Sequence, residues 1–342
     1  MAESLNEIAK AMVAPGKGIL AADESTGTMT KRLASINVGS TADLRRDYRE
    51  MLFRSTGAMS NYISGVILYD ETLRQSSEDG TRLADVIRTT GAIPGIKVDT
   101  GAKDLAGFPG EKITEGLDGL RERLMEYYEL GARFAKWRAV ITINGDLPSK
   151  GCINANAHAL ARYAALCQEQ NIVPIVEPEV LMDNPGATHE IGRCYKVTKS
   201  ILKAVFKQLA DQRVALDGIV LKPNMVVPGK ECPQQASPEE VAEKTVKVLK
   251  KCVPADVPGI AFLSGGQSDL EATQHLSLIN NYSDLPWALT FSYGRALQAA
   301  ALQAWAGKAD NVPVAQAAFA HRAAMNGLAA RGEWAETREQ AA

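Results

Sequence analysis

The chain has 342 residues, which is long enough to bury a large hydrophobic core in one or two domains. Its 38 Lys and Arg residues are balanced by 40 Asp and Glu residues. The resulting net charge of −2 excludes the global basic field that supports nonspecific nucleic-acid binding. A hydrophobic fraction of 46% with 23% charged residues excludes a disordered chain, collagen or a coiled coil.

Eight short apolar runs bounded by Gly, Pro or polar residues predict eight strands. In chain order they are residues 18–23, 65–71, 93–99, 132–141, 172–180, 218–225, 259–266 and 287–294. Their near-continuous apolar character is typical of parallel strands that are buried on both faces.

Amphipathic helices are predicted in most of the gaps between these strands. They cover residues 41–62, 116–130, 154–169, 190–210, 238–251, 268–279 and 295–305. The alternation indicates βαβ units, and eight such units predict a (β/α)8 TIM barrel. A doubly wound open sheet is the alternative, but the first strand leads into ADESTGT and lacks the G-x-G-x-x-G typical of that fold. We expect one domain over residues 1–342, with an N-terminal helix and a helical, polar tail over about 308–342.

The cysteines and histidines show no metal-binding or disulfide pattern. The number of cysteines is odd, no C-x-x-C or H-E-x-x-H is present, and the histidines are scattered. We therefore expect no metal and no cofactor, and free thiols in a reducing compartment. The N-terminus has no apolar stretch fit for a signal peptide, and no run of about eighteen apolar residues predicts a membrane span. These features favour a cytoplasmic protein with no membrane or nucleic-acid partner.

Charged residues interrupt the predicted buried strands, mostly toward their C-terminal ends. They are Asp23, Lys97, Lys136, Arg138, Glu177, Glu179 and Lys222. Because an unpaired buried ion is costly, such residues must pair with one another or reach solvent. For a single lysine a structural ion pair is the favoured interpretation. Seven charges at the end of a TIM barrel where catalysis occurs favour an active site.

A buried lysine indicates imine chemistry. Burial and neighbouring cations lower the pKa of the amine, and the neutral amine attacks carbonyl groups. Carboxylates such as Asp23, Glu177 and Glu179 would then move protons. The residues alone leave Lys97, Lys136 and Lys222 as candidate nucleophiles. Lys222, in IVLKPN, ranks first because its preceding neighbours are apolar and no arginine lies within two residues.

The last two predicted strands end in LSGGQS and SYGRAL, which favour a phosphate site. Ser264, Gly265, Gly294 and Arg295 supply a hydroxyl, open backbone and a guanidinium. Tight strand-to-helix turns are the alternative interpretation of each motif. A second group of cations, formed by Lys31, Arg32, Lys97 and Arg138, predicts another anion site, although Lys31 also fits a solvated helix face.

Seven motifs, in order and with comparable spacing, resemble the class I (Schiff-base) fructose-1,6-bisphosphate aldolases. They are LAADESTGT, GIKVD, FAKWR, PIVEPEV, LKPNMV, FLSGGQS and WALTFSYGRALQA. The resemblance implies a TIM barrel and reversible, metal-independent cleavage of fructose 1,6-bisphosphate to dihydroxyacetone phosphate and glyceraldehyde 3-phosphate. It also implies a place in glycolysis or gluconeogenesis and a homotetramer.

The resemblance also assigns roles to individual residues. Lys222 matches the imine-forming lysine, Glu177 the main general acid/base, and Asp23 the carboxylate that handles the C4 hydroxyl. Lys136 and Glu179 match supporting residues at the carbinolamine. Residues that match the site for the phosphate nearer the ketone are Ser264, Gly265, Gly294 and Arg295. Residues that match contacts to the sugar or the distal phosphate are Ser25, Thr28, Arg32, Lys97 and Arg138. Thr28 departs from the family pattern, in which serine is common.

The C-terminus departs further from the family pattern. Animal and plant members end in a tyrosine that assists proton exchange on the enamine, whereas this sequence ends in REQAA and its last aromatic residue is Trp334. We expect another group to perform that step, or the step to be slower. Two alternative functions stay open from the residues: a Schiff-base or transaldolase-like enzyme acting on a monophosphate, and an interaction protein that kept the fold without activity.

Overall fold

Eight parallel strands close into a barrel in the computed structural model, which describes residues 4–339. Around the barrel the strand order is β1, β2, β3, β6, β7, β8, β9 and β10, and β10 pairs with β1. The two remaining strands, β4 and β5, form an antiparallel hairpin. The strands are β1 Gly18–Ala22, β2 Ile63–Leu68, β3 Ile93–Lys97, β4 Gly101–Asp104, β5 Lys112–Glu115, β6 Phe134–Ile141, β7 Val173–Val180, β8 Val220–Leu221, β9 Gly259–Phe262 and β10 Ala288–Tyr293.

Helices connect these strands and surround the barrel. They are α1 Leu5–Met12, α2 Thr26–Ala34, α3 Ala42–Phe53, α4 Thr56–Tyr62, α5 Asp70–Arg74, α6 Leu83–Thr89, α7 Leu120–Glu129, α8 Lys150–Glu169, α9 Ile191–Asp211, α10 Pro238–Cys252, α11 Asp269–Asn280, α12 Arg295–Trp305 and α13 Val312–Ala329. No helix within the described residues 4–339 is both long enough and apolar enough to cross a membrane.

The predicted TIM barrel is confirmed, and each predicted apolar run overlaps one barrel strand. The helix boundaries differ from the prediction by more than one residue at three places. The helix predicted from residue 154 begins at Lys150, where the Ser149 side chain caps it by accepting from the Cys152 N–H. The helix predicted over residues 41–62 is divided at Ser55, whose ψ of 68° is not helical, in a Ser-Thr-Gly sequence of weak helix formers. The helix predicted from residue 116 begins only at Leu120, because Gly119 adopts a left-handed conformation with φ 64°. Helices α2, α5 and α6 and the β4–β5 hairpin were not among the predicted elements.

Helix α1 packs against the N-terminal end of the barrel. Ile8 and Met12 of this helix join a buried apolar cluster with inward-facing strand residues such as Ile19, Phe134 and Val173. Side chains alternate along a strand, so the residues two and four positions farther along these strands also face inward. Asp23, Lys136, Arg138 and Glu177 occupy those positions, and Glu179 lies two positions beyond Glu177. The strands therefore carry these charges into the C-terminal end of the barrel.

The predicted tail contains α13, whose buried face includes Phe319 and Ala323 and packs against α12, α4 and α11. Beyond it, the Glu339 carboxylate accepts hydrogen bonds from Arg322 and from the Trp334 indole at 2.8 Å. The last three residues of the REQAA end, 340–342, lie outside the described residues, as do residues 1–3.

Candidate active site

Two adjoining cavities open at the C-terminal end of the barrel, with volumes of about 400 and 520 Å³. All fourteen candidate site residues line one or both of them. The first cavity holds Asp23, Ser25, Thr28, Arg32, Lys97, Lys136, Arg138 and Gly294. The second adds Glu177, Glu179, Lys222, Ser264, Gly265 and Arg295. The fold therefore brings into one site residues of β3, β6 and β7, the residues directly after β1 and β8, the start of α2, and the loops after β9 and β10.

A single ammonium group lies at the centre of this site. The Nζ of Lys136 lies 2.9 Å from Asp23 Oδ2 and 3.2 Å from Glu177 Oε2, and its side chain is 7% exposed. Burial opposes the charge of each group, but the mutual attraction of the three outweighs it. The pKa of Lys136 is consequently raised, and the pKa values of Asp23 and Glu177 are lowered.

Lys222 follows β8 directly and is buried. Its backbone N–H donates to the Val176 carbonyl of β7, and its Nζ lies 3.1 Å from Glu177 Oε1. Burial lowers the pKa of this lysine; the Glu177 carboxylate raises it and the Lys136 charge lowers it again, with a net shift downward. Of the two buried lysines, Lys222 thus releases its proton more readily than Lys136.

Strand pairing between β6 and β7 forms a second charged pair beside the first. Arg138 lies opposite Glu177 in the register, and its Nε donates to the Glu179 carboxylate. Burial lowers the pKa of Arg138, but the charge and hydrogen bond of Glu179, together with the charges of Glu177 and Asp23, raise it more. Glu179 therefore lines the cavity as the partner of Arg138, and Lys222 has Glu177 as its ion-pair partner.

The loop after β9 presents donors to the second cavity. Gly265 has φ 57°, a conformation that favours glycine, and Ser264 before it is buried. The side chain of Gln267 donates to the Ser264 carbonyl at 2.9 Å, which occupies that acceptor. Arg295, the first residue of α12, donates to Asp183 Oδ2 and to the Gly265 carbonyl, both at 2.8 Å.

The first cavity is lined by the start of α2 and by the end of β3. The Ser25 hydroxyl caps α2 by accepting from the Thr28 N–H at 3.4 Å, and the two hydroxyl oxygens lie 3.2 Å apart. The Nζ of Lys97 lies 2.7 Å from Asp99 Oδ1. Hydroxyl groups, a helix N-terminus and cations together form a surface suited to an anion.

Comparisons with known proteins match this arrangement. A family model described as fructose-bisphosphate aldolase class-I matches residues 4–342. A probable fructose-bisphosphate aldolase class 1 of Xanthomonas axonopodis pv. citri (strain 306) is 58% identical over 97% of this chain and 98% of its own length.

The chain belongs to the class I fructose-bisphosphate aldolase family. As a member it is a lyase that cleaves fructose 1,6-bisphosphate reversibly. Fructose-bisphosphate aldolase 4, cytosolic, of Arabidopsis thaliana is 53% identical to this aldolase, over 93% of this chain and 80% of the relative. A solved aldolase from Plasmodium falciparum, in complex with TRAP and a small-molecule inhibitor, superposes with a TM-score of 0.94 at 47% identity. It covers 97% of this chain and 95% of its own.

Several residues that line the two cavities were not singled out from the sequence, among them Glu24, Tyr69, Asp99, Asp183 and Ser292. Tyr69 lies two positions beyond the inward-facing Ile67, so strand alternation could have identified it. Asp99 lies at the end of a predicted strand and Glu24 directly follows one. A charge at either position could have been read as a site residue, as the other strand-end charges were. Asp183 lies in the loop after β7 and reaches Arg295 only through the fold. Within residues 4–339, no three or more His, Cys, Asp or Glu side chains are grouped to hold a metal ion.

Replacing Lys136 by methionine should destabilise the aldolase by about 3–5 kcal/mol at pH 8, because Asp23 and Glu177 then lose a buried positive partner. Without Lys136 the pKa values of both carboxylates rise, so the folded variant takes up protons as the pH falls. The difference from the parent in urea unfolding should therefore shrink between pH 8 and pH 5.

The matched control is Lys112→Met, which removes a lysine paired with Asp104 at a largely exposed position. Lys112→Met should lower the free energy of unfolding much less than Lys136→Met at either pH. An equal loss in the two variants, or a Lys136→Met loss that grows at pH 5, would contradict the central role of this ammonium group.

Proposed function

We propose that this aldolase cleaves fructose 1,6-bisphosphate through an imine on Lys222, giving dihydroxyacetone phosphate and glyceraldehyde 3-phosphate. The observation that carries the proposal is a buried amine 3.1 Å from the buried carboxylate of Glu177. Because the pKa of Lys222 is lowered, a larger fraction of the amine is neutral at physiological pH than for an exposed lysine. The neutral amine is the form that attacks a ketone.

Imine formation needs proton transfers next to the nitrogen. The Lys222 nitrogen adds to C2 of the open-chain ketose, and a proton moves from the nitrogen to the former ketone oxygen. Glu177, in contact with Nζ, relays that proton. It then takes up a second proton from solvent and gives it to the departing hydroxyl, which leaves as water. One proton is taken up overall, and the product is a protonated imine. Lys136, 3.2 Å from the other oxygen of Glu177, stabilises the carboxylate between these transfers.

The protonated imine then draws electrons from the C3–C4 bond. As that bond breaks, the C4 hydroxyl gives its proton to the Asp23 carboxylate, and the C4 fragment leaves as the aldehyde. The lowered pKa of Asp23 keeps it ionised at neutral pH, as a proton acceptor requires. The remaining enamine takes up a proton at carbon, and water then hydrolyses the imine and frees Lys222.

Two groups of donors are proposed to hold the two phosphates. The phosphate nearer the ketone would contact Ser264, Gly265, Gly294 and Arg295, which line the cavity that contains Lys222. The distal phosphate or the sugar would contact Ser25, Thr28, Arg32, Lys97 and Arg138 in the adjoining cavity. Lys136 and Arg138 line both cavities, so a substrate bridging the two would pass the central carboxylates.

Sodium borohydride with dihydroxyacetone phosphate should inactivate the enzyme by reducing the imine and should add mass to the peptide that contains Lys222. The inactivation rate should rise with pH through the lowered pKa of Lys222, because only the neutral amine attacks. Peptide mapping checks the site, and Lys222→Met, which should neither cleave substrate nor gain mass, is the control. An adduct on another lysine would overturn the assignment.

Replacing Arg32 by alanine should impair cleavage of fructose 1,6-bisphosphate but spare fructose 1-phosphate, which has no distal phosphate. A lost charge-assisted contact of this kind lowers kcat/KM roughly a hundredfold. Steady-state assays with both substrates measure the selectivity. A lyase adapted to a monophosphate would show equal effects on both substrates, and that outcome would overturn the distal site.

We also propose that the enzyme is a cytoplasmic homotetramer acting in glycolysis and gluconeogenesis, as is usual in the family. The cytosolic name of the Arabidopsis relative supports the location. Sedimentation equilibrium should give a particle of four chains of 36.7 kDa each. A monomer at micromolar concentration would contradict the tetramer.

A further inference from the structure

Glu24 is a buried carboxylate beside the proposed distal-phosphate site. It follows Asp23 directly, lines the first cavity, and its side chain is only 4% exposed. The Glu24 Oε1 atom accepts a hydrogen bond of 2.5 Å from Nη1 of Arg32, whose own side chain is 21% exposed. A carboxylate at the wall of an anion site needs an explanation, because its charge repels a phosphate.

The polar groups behind Glu24 hold it in place. Nε2 of Gln298, in α12, donates to the same Oε1 atom at 3.0 Å and to the Ala21 carbonyl at 2.7 Å. Nη2 of Arg49 donates to the Glu24 backbone carbonyl at 2.6 Å and lies 3.7 Å from Oε2. The Arg49 side chain is 1% exposed, so its charge faces Glu24 in a buried setting rather than solvent.

We propose that Glu24 is a positioning residue for the distal phosphate, because it fixes the guanidinium of Arg32 at the cavity wall before substrate arrives. The inference rests on the proposed function, in which Arg32 contacts that phosphate. An arginine side chain is long and loses much rotamer freedom when it is ordered. Glu24 fixes it through one nitrogen, Nη1, and leaves the remaining donors of the guanidinium for the substrate.

Arg49 accounts for the charge balance. Its buried guanidinium offsets the Glu24 carboxylate from the side away from the cavity, so the charge of Arg32 is not cancelled toward the substrate. If Glu24 acted instead as a competitor of the phosphate, its removal would strengthen substrate binding. The two roles thus predict opposite changes in KM for fructose 1,6-bisphosphate.

The experiment compares Glu24→Ala, Arg32→Ala and the double variant with the parent enzyme, using fructose 1,6-bisphosphate and fructose 1-phosphate. Glu24→Ala should raise KM for the bisphosphate about tenfold, the scale of the rotamer freedom regained by Arg32, with kcat changed less than about twofold. Its kinetics with fructose 1-phosphate should stay at parent values. Glu24→Gln, which keeps an acceptor oxygen and the side-chain shape, should show a smaller increase and carries the test if the alanine variant does not fold.

The double variant separates positioning from an independent contact. Because Glu24 is argued to act through Arg32, Glu24→Ala should have no further effect in the Arg32→Ala background. The matched control is Glu71→Ala, which removes a carboxylate paired with Arg45 at 2.6 Å and lying 3.7 Å from Arg49, outside both cavities. It should leave the ratio of the two substrates unchanged.

The inference is overturned by equal losses on both substrates, by tighter binding of the bisphosphate, by additive effects in the double variant, or by a selective loss in Glu71→Ala as well. An Arg32→Ala variant that does not discriminate between the substrates removes the distal site of the proposed function, and this inference with it. An Arg32→Ala variant that discriminates, together with an unaffected Glu24→Ala variant, rejects the role of Glu24 alone.

Discussion

The contact that organises the molecule is the ammonium of Lys136 between the carboxylates of Asp23 and Glu177. Lys136 lies on β6 and Glu177 on the adjacent β7, whereas Asp23 follows β1, which is not a neighbour of β6. The Lys136 ammonium thus links strands on different sides of the barrel interior. The contact requires Lys136, Asp23 and Glu177 to lie at the same height along the barrel axis. The same contact contributes to the ionisation of the site, because the Lys136 charge helps to keep Asp23 ionised. Burial lowers the pKa of Lys222 and the Lys136 charge lowers it further, so Lys222 is the easier of the two amines to deprotonate.

Strand alternation explains why the bottom of the barrel is apolar and its top is charged. Along β7 the inward positions run from Val173 and Ile175 to Glu177 and Glu179, so one strand supplies both the core and the site. Near-continuous apolar runs mark the strands in the sequence, so the strands and the barrel could be predicted, and the charges within those runs indicated the site. Lys222 could be ranked first for the same local reason, since apolar residues precede it.

The pairing of charged side chains could not be predicted, because it depends on contacts between segments that are distant in the sequence. The hairpin between two barrel strands could not be predicted either. The sequence grouped Arg138 with the anion-binding cations, but it could not show that Glu179, 41 residues away, is held by its guanidinium. Asp183 meets Arg295 across 112 residues. The β4–β5 hairpin was missed because its strands are four residues each and largely polar, which lacks the apolar run used to find strands.

The cations proposed to contact phosphate share one feature: each already has a carboxylate partner. Arg32 has Glu24, Lys97 has Asp99, Arg138 has Glu179 and Arg295 has Asp183. These pairs keep four positive charges close together without a ligand and order long side chains in advance, which reduces the entropy lost on binding.

The four pairs differ in how far their side chains are exposed to solvent. The Glu24 and Asp99 side chains are 4% exposed, so they cannot move into water when substrate arrives, whereas Asp183 is 28% exposed and its partner Arg295 is 60% exposed. An exposed pair is easily exchanged for a phosphate. The carboxylates beside the proposed distal contacts are therefore shielded from solvent, Glu179 included, whereas both members of the Arg295–Asp183 pair reach it.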